Sequence, residues 1–313
     1  MSHKSLFKKI FQTLEQQGYQ GRMISVEHLA ELQTEIEQRY YQGEMAREVY
    51  DEEPCKKFEF TNPAALPEAR SLIIAAAPQP PVEATFHVNG QPFPALIPPT
   101  YFFYTDASIH QLLDSVLGPE GYHLVKARLP LKLLAVRSGL AQYGRNNITY
   151  IPGMGSFHRP VAFYTDLPCE TDSWGAAAFM PRCSTCQVCC KICPTGAITP
   201  DRFLIHAERC LTLHNESDRD FPEWIDPAWH NCIIGCLECQ SSCPANKDVA
   251  ARTDHKAQFS EEETALLLQG TPQEQLLPET QSKIKDLEIV EFGYFHLLPR
   301  NLRVLFQQQK ILA

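Results

Sequence analysis

The sequence CSTCQVCCKICPTGAI, residues 183–198, sets the interpretation of the whole chain, because it contains five cysteines within eleven positions. Cys183, Cys186, Cys189 and Cys193 are separated by two, two and three residues, and a proline follows the last of them. Thiolates at this spacing hold four-iron clusters in the segments of bacterial ferredoxin type. The stretch therefore predicts a [4Fe-4S] cluster, and Cys190 is an additional cysteine.

A second group of cysteines has the same form but lacks its first member. Cys236, Cys239 and Cys243 are again followed by a proline. The missing ligand is Cys210, in ERCLTLHNES, or Cys232, in NCIIGC. A ligand three residues before Cys236 would complete the usual turn, whereas Cys232 lies four residues before it. The spacing favours the more distant Cys210.

Two such groups in one chain predict crossed ligation. Three cysteines of one tight loop surround one cluster, and the fourth cysteine of each run ligates the other cluster. Cluster one is expected to use Cys183, Cys186, Cys189 and Cys243, and cluster two is expected to use Cys193, Cys210, Cys236 and Cys239.

The cysteine content also limits the alternatives. The chain has 12 cysteines, and a reducing cytoplasm does not maintain disulfides, so metal ligation or redox chemistry is favoured. Zinc also binds four thiolates, but paired zinc ribbons show two-residue gaps and no proline after a three-residue gap. Cys55, Cys169, Cys190 and Cys232 are left over, and each is expected to be a small buried apolar residue.

The bulk properties exclude several classes of protein. With 313 residues and 44% hydrophobic composition, the chain can form two domains or one domain with an insert. Its net charge of -9 creates no general attraction for nucleic acid or anionic lipid. The N-terminal residues have amphipathic-helix spacing, not the apolar run of a signal peptide. LIIAAA, residues 72–77, is too short to cross a bilayer. We expect a cytoplasmic protein without membrane contact.

The remaining elements predict a mixed helix and sheet domain. RSLIIAAAPQPP has the apolar run of a buried strand that ends at prolines, and VNGQPF is typical of a hairpin turn. The predicted elements are helices in 2–53, a strand in 70–81, a turn at 88–93, a helix from Thr105 or Asp106 to Gly118, a helix at 130–138, a polar turn at 143–147, and strands at 148–151 and 160–167.

Five motifs together resemble the epoxyqueuosine reductases in order and spacing: RSGLAQYGRNN, GSFHRPVAFYTDL, the first cysteine run, CLTLHNE and GCLECQSSCPANK. The resemblance covers about residues 65 to 250. Enzymes of this family join a nitroreductase-like domain to a two-cluster ferredoxin module, and they use cobalamin to reduce an epoxide on a modified tRNA base. The related corrinoid reductive dehalogenases share the cluster arrangement. The family's isolated cysteine corresponds to Cys210.

The resemblance implies an α+β fold, with a nitroreductase-like α/β domain, a bacterial two-cluster ferredoxin-like module and a helical C-terminal tail. It implies an oxidoreductase that contains two [4Fe-4S] clusters and cobalamin. The expected divisions of the chain are N-terminal helices at 1–60, the α/β domain at 61–175, the cluster module at 176–255 and the helical segment at 256–313. The expected corrinoid-binding residues are Gly144, Arg145, Asn146, Gly155, Ser156 and His158.

Three departures from the family pattern affect the expected substrate. The family's proton-donating aspartate lies about a dozen residues before the segment that begins at Arg137, but LVKARLPLKLLAVRSGL, residues 124–140, contains no acid. A lysine of the family is replaced by Arg145. The C-terminal tail is short compared with the helical repeats that longer members use on tRNA. A small organic substrate is therefore expected in preference to tRNA.

The missing aspartate requires another proton donor. Tyr101, Tyr104 and Asp106 follow a proline-rich segment that is a candidate pocket loop, and Tyr143 and His158 flank the region that resembles the corrinoid contacts. Each candidate has a structural alternative. Aromatic residues in a segment such as TYFFY are commonly core residues, and His158 could be a solvated loop residue. We predict Tyr104 as the catalytic acid, with His158 second.

Three functions fit the sequence. The leading one is a cobalamin-dependent reductase that receives single electrons from a ferredoxin or flavodoxin and acts on a small organic molecule. The second is an electron-transfer protein that reduces a partner's cofactor, such as a corrinoid protein, without binding cobalamin. The third is a structural or regulatory iron-sulfur protein. A true epoxyqueuosine reductase acting on tRNA is the further alternative within the family.

Overall fold

The computed structural model describes residues 3–47, 50, 57–291 and 293–308. These residues divide into two compact units. Unit 1 contains the described residues of 1–79, 104–187 and 200–208, and unit 2 contains those of 80–103, 188–199 and 209–313. Cys55 lies outside the described residues. No helix in the described ranges is long and apolar enough to cross a bilayer.

Unit 1 is built on an antiparallel sheet with the strand order β1-β2-β8-β5. A short ribbon formed by β6 and β7 follows α4. The elements of unit 1 are α1 (His3–Gln16), β1 (Gln20–Ser25), α2 (Leu29–Tyr41), β2 (Ser71–Pro78), α3 (Tyr104–Leu117), β5 (Leu124–Lys126), α4 (Leu131–Arg137), β6 (Gln142–Tyr143), β7 (Thr149–Tyr150) and β8 (His158–Thr165).

The central strand β2 explains the uninterrupted apolar run LIIAAA. Successive side chains of a strand point to opposite faces of the sheet. Leu72 and Ile74 pack into one hydrophobic core together with residues of α4. Ile73 and Ala75 pack into a second core together with residues of α1 and α3. Both faces of β2 are covered, so the strand is apolar at every position and does not alternate.

Unit 2 contains the sheet β4-β3-β9, helices, the first cysteine-rich segment from residue 188 onward and the whole of the second one. β3 and β4 form an antiparallel hairpin, and β9 pairs with β3 in parallel. The elements of unit 2 are β3 (Val82–Val88), β4 (Gln91–Ile97), α5 (Val188–Ile192), α6 (Leu211–Glu216), α7 (Glu238–Ser241), β9 (Asp254–Phe259), α8 (Glu261–Gln269), α9 (Pro278–Asp286) and α10 (Leu298–Gln308).

The hairpin turn and two helix boundaries agree with the sequence predictions. Asn89 and Gly90 both have positive φ, 51° and 74°, as a two-residue turn between antiparallel strands requires. The helix predicted to begin near Thr105 begins at Tyr104 and ends at Leu117. The helix predicted at 130–138 spans Leu131–Arg137. The mixed helix and sheet fold class is confirmed.

Two predictions differ from the structure. The N-terminal segment was expected to contain only helices, but β1 lies between α1 and α2 and pairs with β2. The segment from residue 256 was expected to be a helical tail, but β9 extends from Asp254 to Phe259, and its helices share a core with the β3–β4 hairpin. Both differences arise from strand pairing across long sequence distances. The four-part division of the chain stays a prediction, and the two compact units have other boundaries.

Candidate functional site

The first cysteine loop of unit 1 is held by Arg145. The guanidinium donates a hydrogen bond of 2.6 Å from Nη2 to the carbonyl of Cys183 and one of 3.3 Å from Nε to the carbonyl of Cys186. Its Nη1 donates at 2.9 Å to the carbonyl of Pro200. Arg145 lies in the polar turn between β6 and β7, where Asn147 has a φ of 58°. Each of the three guanidinium nitrogens thus binds a different main-chain oxygen.

A surface pocket adjoins this loop within unit 1. Arg145 and Cys183 both line it, and so do the aromatic rings of Phe179 and Phe203. Phe179 is 47% exposed, and its ring meets that of Phe203 edge to face with centroids 4.8 Å apart. The structure therefore brings one predicted cofactor-binding residue and one predicted cluster ligand to the same pocket.

His158 is enclosed and neutral. Its Nδ1 donates a 3.1 Å hydrogen bond to the carbonyl of Gly155, because a carbonyl can only accept. Its Nε2 is then free of a proton and accepts from the hydroxyl of Thr149 at 3.1 Å. Burial lowers the pKa of His158 to about 4. These contacts favour a structural role for His158 over the predicted role as a proton donor.

The other residues predicted to contact a corrin are mostly inside unit 1. Asn146 and Ser156 are buried, and the amide of Asn146 donates to the hydroxyl of Tyr150 at 3.0 Å. A side chain at Gly144 would place its Cβ 2.5 Å from the Tyr150 ring, so this glycine allows close packing. Gly155 has a φ of 57°, which favours glycine.

Asp106, one of the candidate proton donors, is held in an ion-pair network. Its carboxylate accepts hydrogen bonds of 2.8 and 2.9 Å from the guanidinium of Arg159 and one of 2.6 Å from the ammonium of Lys126. The side chain of Asp106 is 6% exposed and that of Arg159 is 11% exposed. A bidentate pair of this kind orients both groups. The geometry gives Asp106 a structural role.

The candidate tyrosines lie in three different environments. Tyr101 is buried in unit 2, and its hydroxyl donates to the carboxylate of Glu216; burial and this carboxylate raise the pKa of Tyr101 far above its usual range. Tyr143 is buried in unit 1 against Phe203, and burial raises its pKa. Tyr104 begins α3 and is 42% exposed. Of the three tyrosines, Tyr104 alone presents a large part of its side chain to solvent.

The sequence-predicted cysteines are distributed over both units. Cys183 and Cys186 belong to unit 1, and Cys189 and Cys243 belong to unit 2. All four cysteines assigned to cluster two, Cys193, Cys210, Cys236 and Cys239, belong to unit 2.

Cys210 lies with the second cysteine group. Cys193 contributes to the raised pKa of the Cys210 thiol, and Cys210 contributes to the raised pKa of the Cys236 thiol. Cys210 is the residue immediately before α6. Burial raises the pKa of the Cys210 thiol, and it raises that of Cys236 to about 11, because a low-dielectric environment disfavours an isolated thiolate. Bound iron would supply the positive charge that these thiolates lack.

Hydrogen-bond donors surround the sulfurs of this group. The side-chain amide of Asn231 donates to Sγ of Cys236 at 3.2 Å. The Thr195 hydroxyl is 3.5 Å from Sγ of Cys193, and Thr212 forms hydrogen bonds with Cys210. Donors to the ligating sulfurs are a main determinant of cluster reduction potential.

Cys232 has a different environment from Cys210. It is fully buried, and its residue forms an isolated bridge with Leu96 of β4. Its thiol donates a 3.1 Å hydrogen bond to Oδ1 of Asn231, and burial raises its pKa well above the usual range. This position agrees with the expectation of a small core residue and favours Cys210 as the ligand.

The remaining unassigned cysteines that the structure describes are both partly buried. Cys169 follows β8 and Cys190 lies within α5. Burial raises the pKa of the Cys169 thiol to about 11. Within the described part of the chain, no three His, Cys, Asp or Glu side chains are grouped as ligands of a single metal ion. A four-iron cluster instead takes one thiolate at each of its irons, which spaces the ligands more widely.

Sequence reasoning missed the residues that support the cysteine loops. Asn231 accepts from the main-chain nitrogen of Leu237 at 2.8 Å while it donates to Cys236. Only its position five residues before a ligand could have suggested this role. The sequence predicts Arg145 as a corrin-binding residue, whereas its guanidinium donates to the carbonyl groups of Cys183 and Cys186.

Comparison with known proteins identifies the cysteine-rich segment. Residues 182–246 match the 4Fe-4S double cluster binding domain. An epoxyqueuosine reductase of Xanthomonas campestris pv. campestris is 36% identical over 146 residues, which are 45% of this chain and 39% of that protein. The epoxyqueuosine reductase of Escherichia coli is 33% identical over 115 residues, 36% of this chain and 29% of that protein. The matched region thus spans about two fifths or less of these curated relatives.

Solved structures confirm the fold. A structure of epoxyqueuosine reductase from Streptococcus thermophilus has a TM-score of 0.68 at 15% identity, and the match covers 96% of this chain and 80% of that one. A selenomethionine-labelled epoxyqueuosine reductase gives a TM-score of 0.70 at 18% identity, with coverage of 98% and 82%. The resemblance to epoxyqueuosine reductases is confirmed, and the chain contains their double-cluster module within a similar fold.

Proposed function

We propose that this protein is an iron-sulfur oxidoreductase that passes single electrons through two [4Fe-4S] clusters, and that a corrinoid is the electron acceptor. The observation that carries the proposal is the double cysteine motif, which matches a 4Fe-4S double cluster binding domain and lies in a fold similar to that of epoxyqueuosine reductases. The electron donor would be a ferredoxin or a flavodoxin in the cytoplasm. The substrate would be a small organic molecule.

The cysteine residues fit the clusters. Four-iron clusters require one thiolate for each iron. Seven cysteines at the required spacing, together with the more distant Cys210, supply two sets of four. The chain contributes more than ligands, because Asn231, Thr195 and Thr212 place donors next to the sulfurs. These donors stabilise negative charge on the thiolates, which increases when a cluster is reduced. The clusters supply one-electron transfer when they are bound.

The residues predicted around the corrin fit less well. Asn146, Ser156 and His158 are buried within unit 1, and the guanidinium of Arg145 is used by three main-chain carbonyls. These side chains do not fit direct contact with a corrin. Cobalamin therefore enters the proposal through the motif resemblance alone. Tyr104 remains the proposed proton donor because it is the most exposed of the candidate tyrosines.

The expected substrate follows from two features of the chain. A solved epoxyqueuosine reductase from Bacillus subtilis has an aspartate in its catalytic loop, whereas residues 124–140 of this chain contain no acid. Another solved structure contains an epoxyqueuosine-modified tRNA stem loop, but a net charge of -9 gives this chain no general attraction for a polyanion. We therefore propose a small substrate in place of tRNA.

The contacts of Arg145 and His158 favour a second candidate function. An electron-transfer protein needs the two clusters and a partner, but it needs no corrin pocket of its own. In such a protein these two residues would be free to bind carbonyl groups of the chain, as Arg145 and His158 do. The two functions differ in one simple property, which is whether the chain retains a corrinoid.

The test uses the 313-residue protein purified without oxygen. We expect about eight iron and eight acid-labile sulfide per chain, from the ligands of two four-iron clusters. Incubation with cobalamin, gel filtration and extraction then measure retained corrinoid. Retention at micromolar concentration supports the cobalamin-dependent reductase, and its absence in an eight-iron protein supports the electron-transfer protein. Stoichiometric zinc with little sulfide would exclude both. Rapid reduction of epoxyqueuosine-containing tRNA would overturn the proposed substrate class.

A further inference from the structure

The side chain of Arg145 lies beside the predicted cluster ligands of unit 1 and forms three hydrogen bonds. It reaches two residues of the first cysteine loop, Cys183 and Cys186, through their carbonyl oxygens. It also reaches Pro200, at the start of the segment that re-enters unit 1 after the first cysteine run. The chain leaves unit 1 after residue 187 and returns to it at Pro200. The side chain of Arg145 therefore joins the segment before this interruption to the segment after it.

The shape of arginine is essential for this arrangement. Nε, Nη1 and Nη2 lie in one plane and point in different directions, and each meets its own carbonyl at 2.6 to 3.3 Å. The ammonium of a lysine is a single point donor and cannot reproduce this fork. The guanidinium of Arg145 is thus matched to the three carbonyl groups that it binds.

The charge of Arg145 is directed at the same loop. Two of the three carbonyl groups that its guanidinium binds belong to predicted ligand residues, Cys183 and Cys186, so its positive charge lies beside the first cysteine loop. Reduction adds one negative charge to a cluster, and a nearby cation makes that state more favourable.

We infer that Arg145 is a positioning residue for cluster one, which fixes the loop of Cys183 and Cys186 and raises the reduction potential of the cluster that these thiolates hold. The inference rests on the proposed presence of two [4Fe-4S] clusters, but it does not depend on a corrinoid or on the substrate. It assigns to Arg145 a role that differs from the corrin contact expected from sequence.

The experiment compares Arg145→Gln and Arg145→Lys with the unmodified protein, all purified without oxygen. Iron and sulfide content, the rate of iron release to a chelator, and the reduction of each cluster followed by electron paramagnetic resonance are measured. Arg303→Gln is the matched control, because Arg303 donates to the carbonyl of Leu268 in unit 2 and has no contact with a cysteine among the described residues.

We expect Arg145→Gln to lower the reduction equilibrium constant of one cluster about tenfold, which corresponds to about 59 mV for one electron, and to accelerate release of its iron. Arg145→Lys should restore most of the reduction potential, because lysine keeps the positive charge. Its iron should still be released faster than in the unmodified protein, because lysine cannot form the three directed hydrogen bonds of the guanidinium. Loss of four irons in Arg145→Gln with recovery in Arg145→Lys would support the same role. Arg303→Gln should behave as the unmodified protein.

Two results would overturn the inference. One is an Arg145→Gln protein with normal iron content and unchanged potentials and iron release. The other is loss of both clusters together with the folded circular dichroism signal in both Arg145 variants, which would make the effect global. An unmodified protein that contains zinc and no sulfide would overturn the proposed function as well, so the two failures are distinguishable.

Discussion

The side-chain amide of Asn231 donates a hydrogen bond of 3.2 Å to the sulfur of Cys236. Its oxygen accepts from the main-chain nitrogen of Leu237 at 2.8 Å and from the thiol of Cys232 at 3.1 Å. One side chain therefore joins a predicted ligand, the loop that follows it and a buried cysteine that the ligand assignment leaves out. This arrangement explains how Cys232 can be close to the second cysteine group without being part of it.

Replacement of Asn231 should lower the potential of cluster two. Asn231→Leu removes the donor to sulfur, and a hydrogen bond to a charged group contributes about 1.5 to 3 kcal/mol. We expect a shift of at least tenfold in the reduction equilibrium of one cluster, about 59 mV for one electron. Anaerobic redox titration followed by electron paramagnetic resonance measures it.

A matched control for this variant is Asn62→Ala. The amide of Asn62 donates to the carbonyls of Pro67 and Ala69 in a loop of unit 1, both at 2.9 Å, and among the described residues it has no cysteine partner. Its removal should leave both potentials unchanged. Equal potentials in Asn231→Leu and the unmodified protein would show that the contact with Cys236 does not affect the cluster.

The choice between Cys210 and Cys232 can be decided by iron content. Cys210→Ala should lose about half of the iron, because one cluster of two loses a ligand. Cys232→Ala and Cys190→Ala should keep nearly all of it, because neither thiol is assigned to a cluster. The measurement is iron and sulfide per chain after anaerobic purification. A Cys232→Ala protein with half the iron, beside a Cys210→Ala protein with normal iron, would reverse the assignment.

The sequence predicted the elements whose causes are local. Prolines end β2, the Asn89–Gly90 pair turns the hairpin, and the apolar run at 72–77 forms a strand that is covered on both faces. It missed β1 because QGRMIS is short and has no clear alternation, and its strand state depends on pairing with β2. Likewise, β9 is a strand because β3 offers it a partner about 170 residues away.

The candidate site shows the same division. Cysteine spacing follows from the geometry of a cluster and can be read directly from the chain. The roles of polar residues depend on neighbours that only the fold supplies. The sequence identifies no partner for the carboxylate of Asp106, but the fold places the guanidinium of Arg159 against it. His158 is a loop residue next to a motif in the sequence, but the fold buries it between Thr149 and Gly155.

Loss of the Asp106 carboxylate should destabilise unit 1 strongly. Asp106→Asn leaves the guanidinium of Arg159 buried without its counter-charge, and breaking a buried pair in this way costs about 3 to 5 kcal/mol. Anaerobic denaturant unfolding measures the free energy. Asp218→Asn is the control, because Asp218 is 82% exposed and pairs with His296 at the surface, where such pairs contribute about 1 kcal/mol or less. A stable Asp106→Asn protein without turnover would instead indicate a catalytic carboxylate.

The buried imidazole of His158 should make stability depend on pH. Its pKa is about 4 in the folded chain, against an ordinary value of 6.5. The folded state therefore binds fewer protons than the unfolded state between these values, so its stability is fully present above pH 6.5 and is lost as the pH falls towards 4. The difference corresponds to roughly 3 kcal/mol.

His158→Gln isolates this contribution, because glutamine does not titrate in that range. We expect the melting temperature of the variant to fall less steeply between pH 6.5 and 4.5 than that of the unmodified protein.

The pKa of His230 in unit 2 is also lowered to about 4 by burial, but this histidine is present in both proteins and cancels in the difference. His255→Gln is the control for replacement of an exposed histidine, since the His255 side chain is 75% exposed. Nitrogen-15 resonances of His158 should show a neutral ring protonated at Nδ1 from pH 8 to pH 5. A ring that gains its second proton near pH 6.5 would mean that His158 is solvated and available for proton transfer, as the sequence alone had suggested.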